Sequence, residues 1–349
     1  MAATTKGLKF DRGVLTFYGG TDTDIVMPEG VTAIGEGAFG CWPGNMIKTI
    51  AIPKSVKAID KNAFNLCAEL LNVTIPGGVE TIGEYAFNMC GKLGSVTLEE
   101  GVKLIENNAF ADCKKLESIT IPGTVETVGK AAFIGCDKLK SVTVGEGVKH
   151  LGVGAFVSDK NIKEVVLGQG LKTIGDSAFE QCEKIKSVTI PGSVDSIGRN
   201  AFSGCSGLVS VTLEKGVKTI EKNAFWDCKK LKGVKIPGSV DTVCDHAFGG
   251  CENLESLTIE KGVKTIESDA FWGCKKLESV SIPGTVESIG DHAFSFCLNL
   301  ESLTLGEGIK RIGKGAFSSC RNLISVTLPQ SIESVEPDAF PPTTLVQKA

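Results

Sequence analysis

Thirteen cysteines give this 349-residue chain its widest range of chemistry, since thiolates can bind metals, form disulfides and act as nucleophiles. Eleven of them recur in one column, at steps of 23 residues or twice that. The column comprises Cys67, Cys90, Cys113, Cys136, Cys182, Cys205, Cys228, Cys251, Cys274, Cys297 and Cys320. Cys41 belongs to an irregular first copy, and Cys244 replaces a residue that is usually Gly.

The spacing of these cysteines favours neither metal nor disulfide chemistry. No C-x-x-C occurs, and no His alternates with the column as a zinc site would require. A thiol at a regular inward position behaves as a small hydrophobic side chain. We therefore predict buried free thiols and no metal site, with disulfides as the alternative.

Three histidines, His150, His246 and His292, are the other candidates for catalysis. The last two both occur in Asp-His-Ala-Phe, and duplication alone would place them at matching positions. A catalytic dyad needs a nucleophile that converges on one His. No G-x-x-x-x-G-K-[ST] string is present, and 168–170 (Gly-Gln-Gly) lacks the context of a dinucleotide loop. The sequence predicts no catalytic residue and no cofactor.

Two further columns carry hydroxyl groups that could bind a partner. The Ser column is Ser95, Ser118, Ser141, Ser187, Ser210, Ser256, Ser279, Ser302 and Ser325. The Thr column is Thr97, Thr120, Thr143, Thr189, Thr212, Thr258, Thr304 and Thr327. A solvated sheet surface and a contact wall for a protein or glycan are both open, because small β-tolerant residues suit either. An ice-binding lattice is a third alternative, although an inward-curving sheet would fit ice poorly.

Two copies interrupt both hydroxyl columns. Glu164 and Val166 replace Ser and Thr in one copy, which also has Asp159 where the Cys column would continue. Gly233 and Lys235 replace them in another. Alternate strand residues share a face, so we predict that these positions face outward with the hydroxyls. Charges at isolated points on a neutral wall can orient a partner. We predict partner-binding residues here, with drift at exposed positions as the alternative.

Trp226 and Trp272 each follow an Ala-Phe dipeptide, 46 residues apart. Trp is enriched at the centres of protein interfaces, so the pair is a candidate partner-binding patch. Duplication of one packing residue is the alternative.

A repeat of 23 residues positions all of these side chains. Ala-Phe recurs from Phe39 to Phe340, with a first step of 25 residues and every later step of 23. Constant spacing over so many copies indicates a solenoid, in which stacked coils cover each other. In 114–133, Leu116, Ile119 and Ile121 are spaced as in a short strand with inward side chains. The repeat predicts one strand per coil near 95–98 and onward, pairing into a long parallel sheet, with short helical turns around Ala-Phe-x-x-Cys.

A second period of 46 residues lies on the first. Turns after the strand alternate between Pro-Gly-Ser/Thr and Glu/Gly-x-Gly, with one slip at 168–170, as expected of growth by duplication. The ends differ: 8–18 predict a capping hairpin, and Pro341 and Pro342 block a further coil, with Leu345 and Val346 across the open end. We predict a cap over 1–21, a single solenoid over 22–340 and a tail over 341–349.

Composition excludes several partners. Acids and bases are interleaved with a net charge of −4, so no basic stripe indicates nucleic acid. No stretch is apolar enough for membrane insertion, and the first ten residues lack the apolar core of a signal peptide.

The motifs L-x-x-[VI]-x-[IL]-P, V-x-x-I-G and A-F-x-x-C together resemble the BspA-type (Treponema-type) leucine-rich repeat, over about 22–340. The resemblance implies an α/β solenoid, mostly β: a right-handed superhelix of 23-residue coils with a parallel concave sheet and short helical turns. One departure is that Gly101 or Thr124 stands where commoner repeats place a backbone-bridging Asn.

The resemblance also implies a function, because members act in adhesion to host proteins or other cells, at the surface of bacteria and some protists. We predict a non-catalytic binding or adhesion module, bacterial and secreted or surface-exposed. Its partner would be a protein or glycan, host surface or matrix proteins among them, held by the concave sheet or its edges. The alternative is a structural scaffold that oligomerises.

Overall fold

The computed structural model describes residues 5–40 and 46–349. The chain forms two compact units, Met1–Leu171 and Lys172–Ala349, and each is a stack of coils about 23 residues apart. The described residues contain only strands, bridges and turns, without a helix. The segments around Ala-Phe-x-x-Cys are single turns, closed by bonds such as Cys205 N–H to Phe202 O (3.2 Å).

Each coil begins with the strand that the sequence predicts. In the first unit these longer strands are β3 (Asp24–Val26), β5 (Thr49–Ala51), β7 (Asn72–Ile75), β9 (Ser95–Leu98), β11 (Ser118–Ile121), β13 (Ser141–Val144) and β15 (Glu164–Val166). In the second they are β17 (Ser187–Ile190), β19 (Ser210–Leu213), β21 (Gly233–Ile236), β23 (Ser256–Ile259), β25 (Ser279–Ile282), β27 (Ser302–Leu305) and β29 (Ser325–Leu328). A final strand, β31 (Leu345–Lys348), follows the last coil.

A second strand of two residues per coil was not predicted, because two residues are too few to show a strand pattern. In the first unit these are β4 (Ala33–Ile34), β6 (Ala58–Ile59), β8 (Thr81–Ile82), β10 (Leu104–Ile105), β12 (Thr127–Val128) and β14 (His150–Leu151). In the second they are β16 (Thr173–Ile174), β18 (Ser196–Ile197), β20 (Thr219–Ile220), β22 (Thr242–Val243), β24 (Thr265–Ile266), β26 (Ser288–Ile289), β28 (Arg311–Ile312) and β30 (Ser334–Val335).

The short strands form an unbroken parallel ladder within each unit. In the first unit the ladder is extended by an antiparallel hairpin, β1 (Leu8–Asp11) and β2 (Val14–Tyr18), whose second strand pairs with β4. This is the hairpin predicted at 8–18. At the other end of the chain β31 pairs in parallel with β29, so Leu345 and Val346 extend a sheet edge with exposed side chains.

The longer strands do not form the single continuous sheet that the sequence predicted. They pair in groups: β3–β5, β7–β9 and β11–β13–β15 in the first unit, and β17–β19–β21–β23, β25–β27 and β29–β31 in the second. Even within the four-stranded group, β19 and β21 are joined only at Ser210 and Gly233. The pairing therefore follows the 46-residue period.

Proline accounts for this grouping. The residue after a longer strand donates its N–H to the last residue of the strand before it, as Glu260 does to Ile236 O (3.0 Å). Pro283 holds that position after β25 and has no N–H, so it cannot donate to Ile259. The ladder is thus interrupted, or reduced to a single pair as between β19 and β21, wherever a coil with a Pro turn follows a coil with a Glu or Gly turn.

The two turn types also bind each other. Glu99 Oε2 accepts the N–H of Gly77 in the preceding Pro turn (2.9 Å), and Thr124 Oγ1 accepts the N–H of Gly101 in the preceding Glu turn (2.8 Å). The second unit repeats these bonds with Glu214–Gly192, Ser239–Gly216, Glu260–Gly238 and Thr285–Gly262. In these coils each turn accepts a backbone N–H of the one before it, which is the role of Asn in commoner repeats.

A column of Phe rings, all buried except the half-buried Phe340 at its end, runs through the core of each unit. Consecutive rings are nearly parallel, with centroids 4.8–5.3 Å apart from Phe39 to Phe156 and 5.0–5.5 Å apart from Phe179 to Phe340. Each coil buries its ring only against the coils on either side, so the core exists through stacking.

We predict that Gly101→Ala destabilises the chain by about 1–3 kcal/mol, the usual effect of a strained backbone. Gly101 has φ +133°, and a Cβ there would meet Gly77 O. Gly91→Ala is the matched control, because a Cβ at Gly91 would contact nothing within 4 Å. Urea unfolding followed by circular dichroism measures both, and equal stability of the two variants would contradict the role of the turn.

Candidate functional site

The outward side of the longer strands carries the two hydroxyl columns, as predicted. In β9, Ser95 and Thr97 are exposed while Val96 and Leu98 are buried, and the other strands repeat this alternation. We call these outward Ser and Thr side chains the hydroxyl face. Each hydroxyl can donate and accept a hydrogen bond, and its side chain is too short to fold back over the sheet.

Clefts open in the hydroxyl face where strand pairing is interrupted. Between β23 and β25 lies a cleft of about 790 Å³, lined by Leu257, Thr258, Ile259 and Ser281 among others. Between β27 and β29 lies another of about 420 Å³. Leu257 and Ile259, at the edge of the first cleft, are 8% and 6% exposed, whereas Ile282 is completely buried. Each cleft thus places apolar carbon beside hydroxyl groups.

The four residues that interrupt the hydroxyl columns lie on this face. Glu164 and Val166 are exposed in β15 of the first unit, and Val166 is 57% exposed. Gly233 and Lys235 occupy outward positions in β21 of the second unit. Lys235 Nζ lies 2.6 Å from Glu260 Oε1, so its charge is partly neutralised.

Acids and lysines alternate along another exposed column, just before the short strands. Ion pairs join consecutive coils at Glu80–Lys103 (2.7 Å) and Glu126–Lys149 (2.9 Å). The second unit repeats them at Asp195–Lys218, Asp241–Lys264 and Glu287–Lys310. A hydrogen bond from Lys103 lowers the pKa of Glu80 and keeps it ionised. Opposite charges neutralise this column along its length, so it offers a partner little net charge.

Trp226 and Trp272 meet, although they belong to coils that are not adjacent. Their half-buried rings are stacked with centroids 5.8 Å apart and an interplanar angle of 15°. His246 lies edge-on to Trp226 at 5.1 Å, and Phe296 lies edge-on to Trp272 at 5.8 Å. We call these four residues the aromatic cluster. The sequence analysis did not identify Phe296 as a candidate site residue. Its position outside the repeated Ala-Phe dipeptide could have indicated it.

His246 and His292 flank one carboxyl group. His246 Nε2 lies 3.6 Å from Asp269 Oδ2, and burial raises the pKa of Asp269 while both histidines oppose that rise. Within 5–40 and 46–349, no group of three or more His, Cys, Asp or Glu is arranged to hold a metal ion. Over the same ranges, no helix has the length and apolarity needed to cross a membrane.

The Cys column lies inside the stack, as predicted. Its eleven members are buried free thiols, and most donate S–H to the carbonyl of the Phe one coil earlier, as Cys205 does to Phe179 (3.2 Å). Burial raises the pKa of Cys205 to about 12, which keeps the thiol protonated and unreactive. Cys244 is half-buried, and Cys41 lies outside the described residues.

Asp159 takes the place of a thiol in this apolar column. The residue is completely buried, and neither carboxyl oxygen has a hydrogen-bond partner. Burial raises the pKa of Asp159 to about 8, and the nearby backbone of Cys136 lowers it to a smaller extent. At neutral pH the folded chain therefore holds Asp159 mainly as a neutral acid.

Comparisons with known proteins agree with this architecture. A family model described as a BspA type leucine rich repeat region matches 13–138, 40–163, 127–255 and 241–347. The crystal structure of a leucine-rich repeat protein from Bacteroides ovatus ATCC 8483 is 30% identical, covering 99% of this chain and 90% of that one, with a TM-score of 0.76. One from Eubacterium ventriosum ATCC 27560 is 22% identical over 95% and 92%, with a TM-score of 0.52, and shares the fold. No curated protein matches the chain.

We predict that few thiols of the native protein react with Ellman's reagent. Burial holds the thiol pKa values high, so almost no thiolate is available at neutral pH. Nearly all thirteen should react after denaturation without reductant. A shortfall after denaturation would reveal disulfides.

We predict that Asp159→Cys stabilises the chain in a pH-dependent way. The pKa of Asp159 rises from 3.8 to about 8 on folding. The buried neutral acid therefore does not penalise the folded state below pH 4, and the folded state loses stability relative to the unfolded state as the pH rises from 4 toward 8. At pH 7 the variant should be more stable by about 4 kcal/mol, at about 1.36 kcal/mol per pKa unit. Urea unfolding between pH 4 and 8 measures the difference, with the exposed Asp11→Asn as control. A gain independent of pH would refute a buried neutral acid.

Proposed function

Because the chain belongs to the BspA-type leucine-rich-repeat family, we propose that it is a non-catalytic binding protein whose hydroxyl face contacts a protein or glycan partner. The observation that carries this proposal is the hydroxyl face itself. It presents short side chains with unused hydrogen-bonding capacity, interrupted by clefts that expose apolar carbon. Such a surface supports binding through many weak contacts and offers no group suited to bond cleavage.

The residues that break the columns would orient the partner. A uniform wall looks the same at every coil and cannot mark one position along the stack. Glu164 adds a negative charge and Val166 an exposed apolar side chain, whereas Gly233 removes a side chain and Lys235 adds a positive one. Isolated charges of this kind exclude wrong partners more than they add affinity.

The proposed setting is adhesion at a bacterial surface or after secretion, as the family resemblance implies. Host surface and matrix proteins, and the glycans they carry, are then the partner class. A long array of similar coils gives a partner several places to bind, so modest contacts can sum to stable attachment.

A structural scaffold that oligomerises is the second candidate function. It is favoured by β31, where Leu345 and Val346 are 57% and 42% exposed on a strand that ends a sheet. An exposed strand edge is a template for pairing with another chain. Light scattering at micromolar concentration separates the two functions, since a monomer favours the binding protein and a concentration-dependent oligomer favours the scaffold.

We predict that the immobilised chain captures a specific partner from serum or matrix extract, and that blocking the hydroxyl face weakens the capture. Thr258→Arg with Thr304→Arg fills the cleft between β23 and β25 with two long charged side chains. Thr242→Arg, on β22 of the short-strand ladder, is the control. Affinity should fall by about tenfold or more in the double variant, as when an interface centre is lost.

A second variant tests the proposed orienting residues in the same assay. Glu164→Ser, Val166→Thr, Gly233→Ser and Lys235→Thr together restore the uniform wall, and affinity should fall. Affinity within about twofold of the native chain would remove these residues from the contact. Absence of any captured partner, or equal capture by the blocked double variant, would contradict the proposed function.

A further inference from the structure

The aromatic cluster departs from the pattern of its own column. Neighbouring coils place Ser203, Gly249 and Ser295 at the position held by Trp226 and Trp272, so the fold does not require a large side chain there. A Cβ on Gly249 would lie 2.3 Å from Trp226 Cζ3. The indole of Trp226 therefore lies against the Gly249 backbone, and this gap lets it reach a ring two coils away.

The distance between the indoles shows how far they lean together. Consecutive Phe rings in these coils are 5.0 and 5.5 Å apart. Equivalent side chains two coils apart would therefore be separated by about the sum of these two distances. The Trp centroids are only 5.8 Å apart. The two indoles thus form one stacked pair on the surface, and Trp226 packs against the backbone of Gly249.

Phe296 adds an exposed ring at a left-handed position. Its φ is +61°, in the left-handed region that bulky residues avoid, and its side chain is 45% exposed. The next coil has Ser319 at this position with φ +64°, so a small polar residue fits the same backbone. The left-handed backbone recurs at this position in other coils, where Leu66 and Met89 are also exposed, so it belongs to the repeat; Phe296 differs from them in its edge-on contact with Trp272.

Carboxylates lie beside the aromatic cluster. A groove of about 370 Å³ is lined by Asp245, Glu267 and Asp291, with Arg311 as the one base in its lining. Asp269, which contacts His246, lies close enough to feel the charges of Asp245 and Asp291.

The local bases leave this groove acidic. Lys222 lies 3.7 Å from Asp245, and Arg311 lies 3.9 Å from Glu336, so each base has an acidic neighbour. Glu267 and Asp291 line the groove and accept the backbone N–H groups of Asp245 and Lys314, and the groove connects to the aromatic cluster through Asp269, which contacts His246. Aromatic faces and carboxylates attract the same ligand group, a cation.

We propose that the aromatic cluster and this groove form one docking site for a basic segment of a partner protein, which places an Arg or Lys side chain between ring and carboxylate. The proposal rests on the proposed binding function and names the chemistry of one of its contacts. A guanidinium stacks on Trp or Phe and pairs with a carboxylate, so a single Arg uses both halves of the site. A neutral glycan fits less well, because it has no positive charge to pair with the carboxylates of Asp245, Glu267 and Asp291.

The test titrates an acetylated Arg-Gly-Arg-Gly-Arg peptide into the native full chain and follows Trp fluorescence and heat. The variant Trp226→Ser with Trp272→Ser adopts the residue found in neighbouring coils, and circular dichroism checks its fold. Met89→Ser is the matched control for the Phe296 variant described below, since Met89 is 46% exposed at the same left-handed repeat position in the other unit. We expect saturable binding that weakens with salt and falls about tenfold or more in the double variant.

Phe296→Ser is a second variant, whose fold is expected to persist because Ser319 holds the same left-handed backbone in the next coil; we expect binding to fall. Three results would overturn the proposal: no saturable binding of the arginine peptide, equal binding by both Trp-to-Ser and native chains, or preferred binding of maltohexaose or of the matched glutamate peptide. Partner capture from serum or matrix extract is scored separately. Capture that survives Trp226→Ser with Trp272→Ser removes only this site, whereas no capture by the native chain removes the proposed function.

Discussion

Contact between consecutive coils is the interaction on which everything else in this protein depends. A single 23-residue coil has too few apolar side chains to enclose its own Phe, which is buried only because a ring lies above and below it at about 5 Å. At this spacing between coils, some turn positions have no room for a side chain. The carbonyl oxygen of Gly77, for example, occupies the space that a Cβ on Gly101 would need. It also sets the spacing of the hydroxyl face, because outward side chains repeat at the same interval.

The 46-residue period is more than a record of duplication. The Pro and Glu turns complement each other: each supplies a side-chain acceptor for the backbone of the turn before it, and Pro283 removes a donor that Glu260 provides. The double coil is therefore the smallest unit that contains both of these turn-to-turn bonds. Its boundaries coincide with the clefts, so the pattern that organises the turns also shapes the surface offered to a partner.

Much of the fold could be read from the sequence because the repeat averages out local ambiguity. One copy of Leu-x-x-Ile-x-Ile is weak evidence for a strand, but thirteen copies in register specify strand, inward face and Cys column together. What escaped prediction depends on single atoms or on contacts between copies. The missing N–H of Pro283 breaks the sheet, and two-residue strands such as Thr242–Val243 leave no periodicity to detect.

In the candidate site, too, the features that follow from the repeat could be predicted, whereas contacts between copies could not. The outward position of Lys235 followed from alternation along a strand, but its ion pair with Glu260 did not. The meeting of Trp226 with Trp272 could not be foreseen, because it requires the empty space over Gly249 in the coil between them. Phe296 was hidden among seventeen Phe residues, nearly all of which belong to the core.

Because the ladders of longer strands are interrupted, the junctions between coils differ in mechanical strength. Junctions such as that between β23 and β25 lack the strand pairing that joins β25 to β27, so within a unit resistance to pulling alternates from one coil to the next. We expect tension to separate the coils first at these junctions, and a double coil released there would extend to roughly 150 Å at about 3.3–3.6 Å per residue.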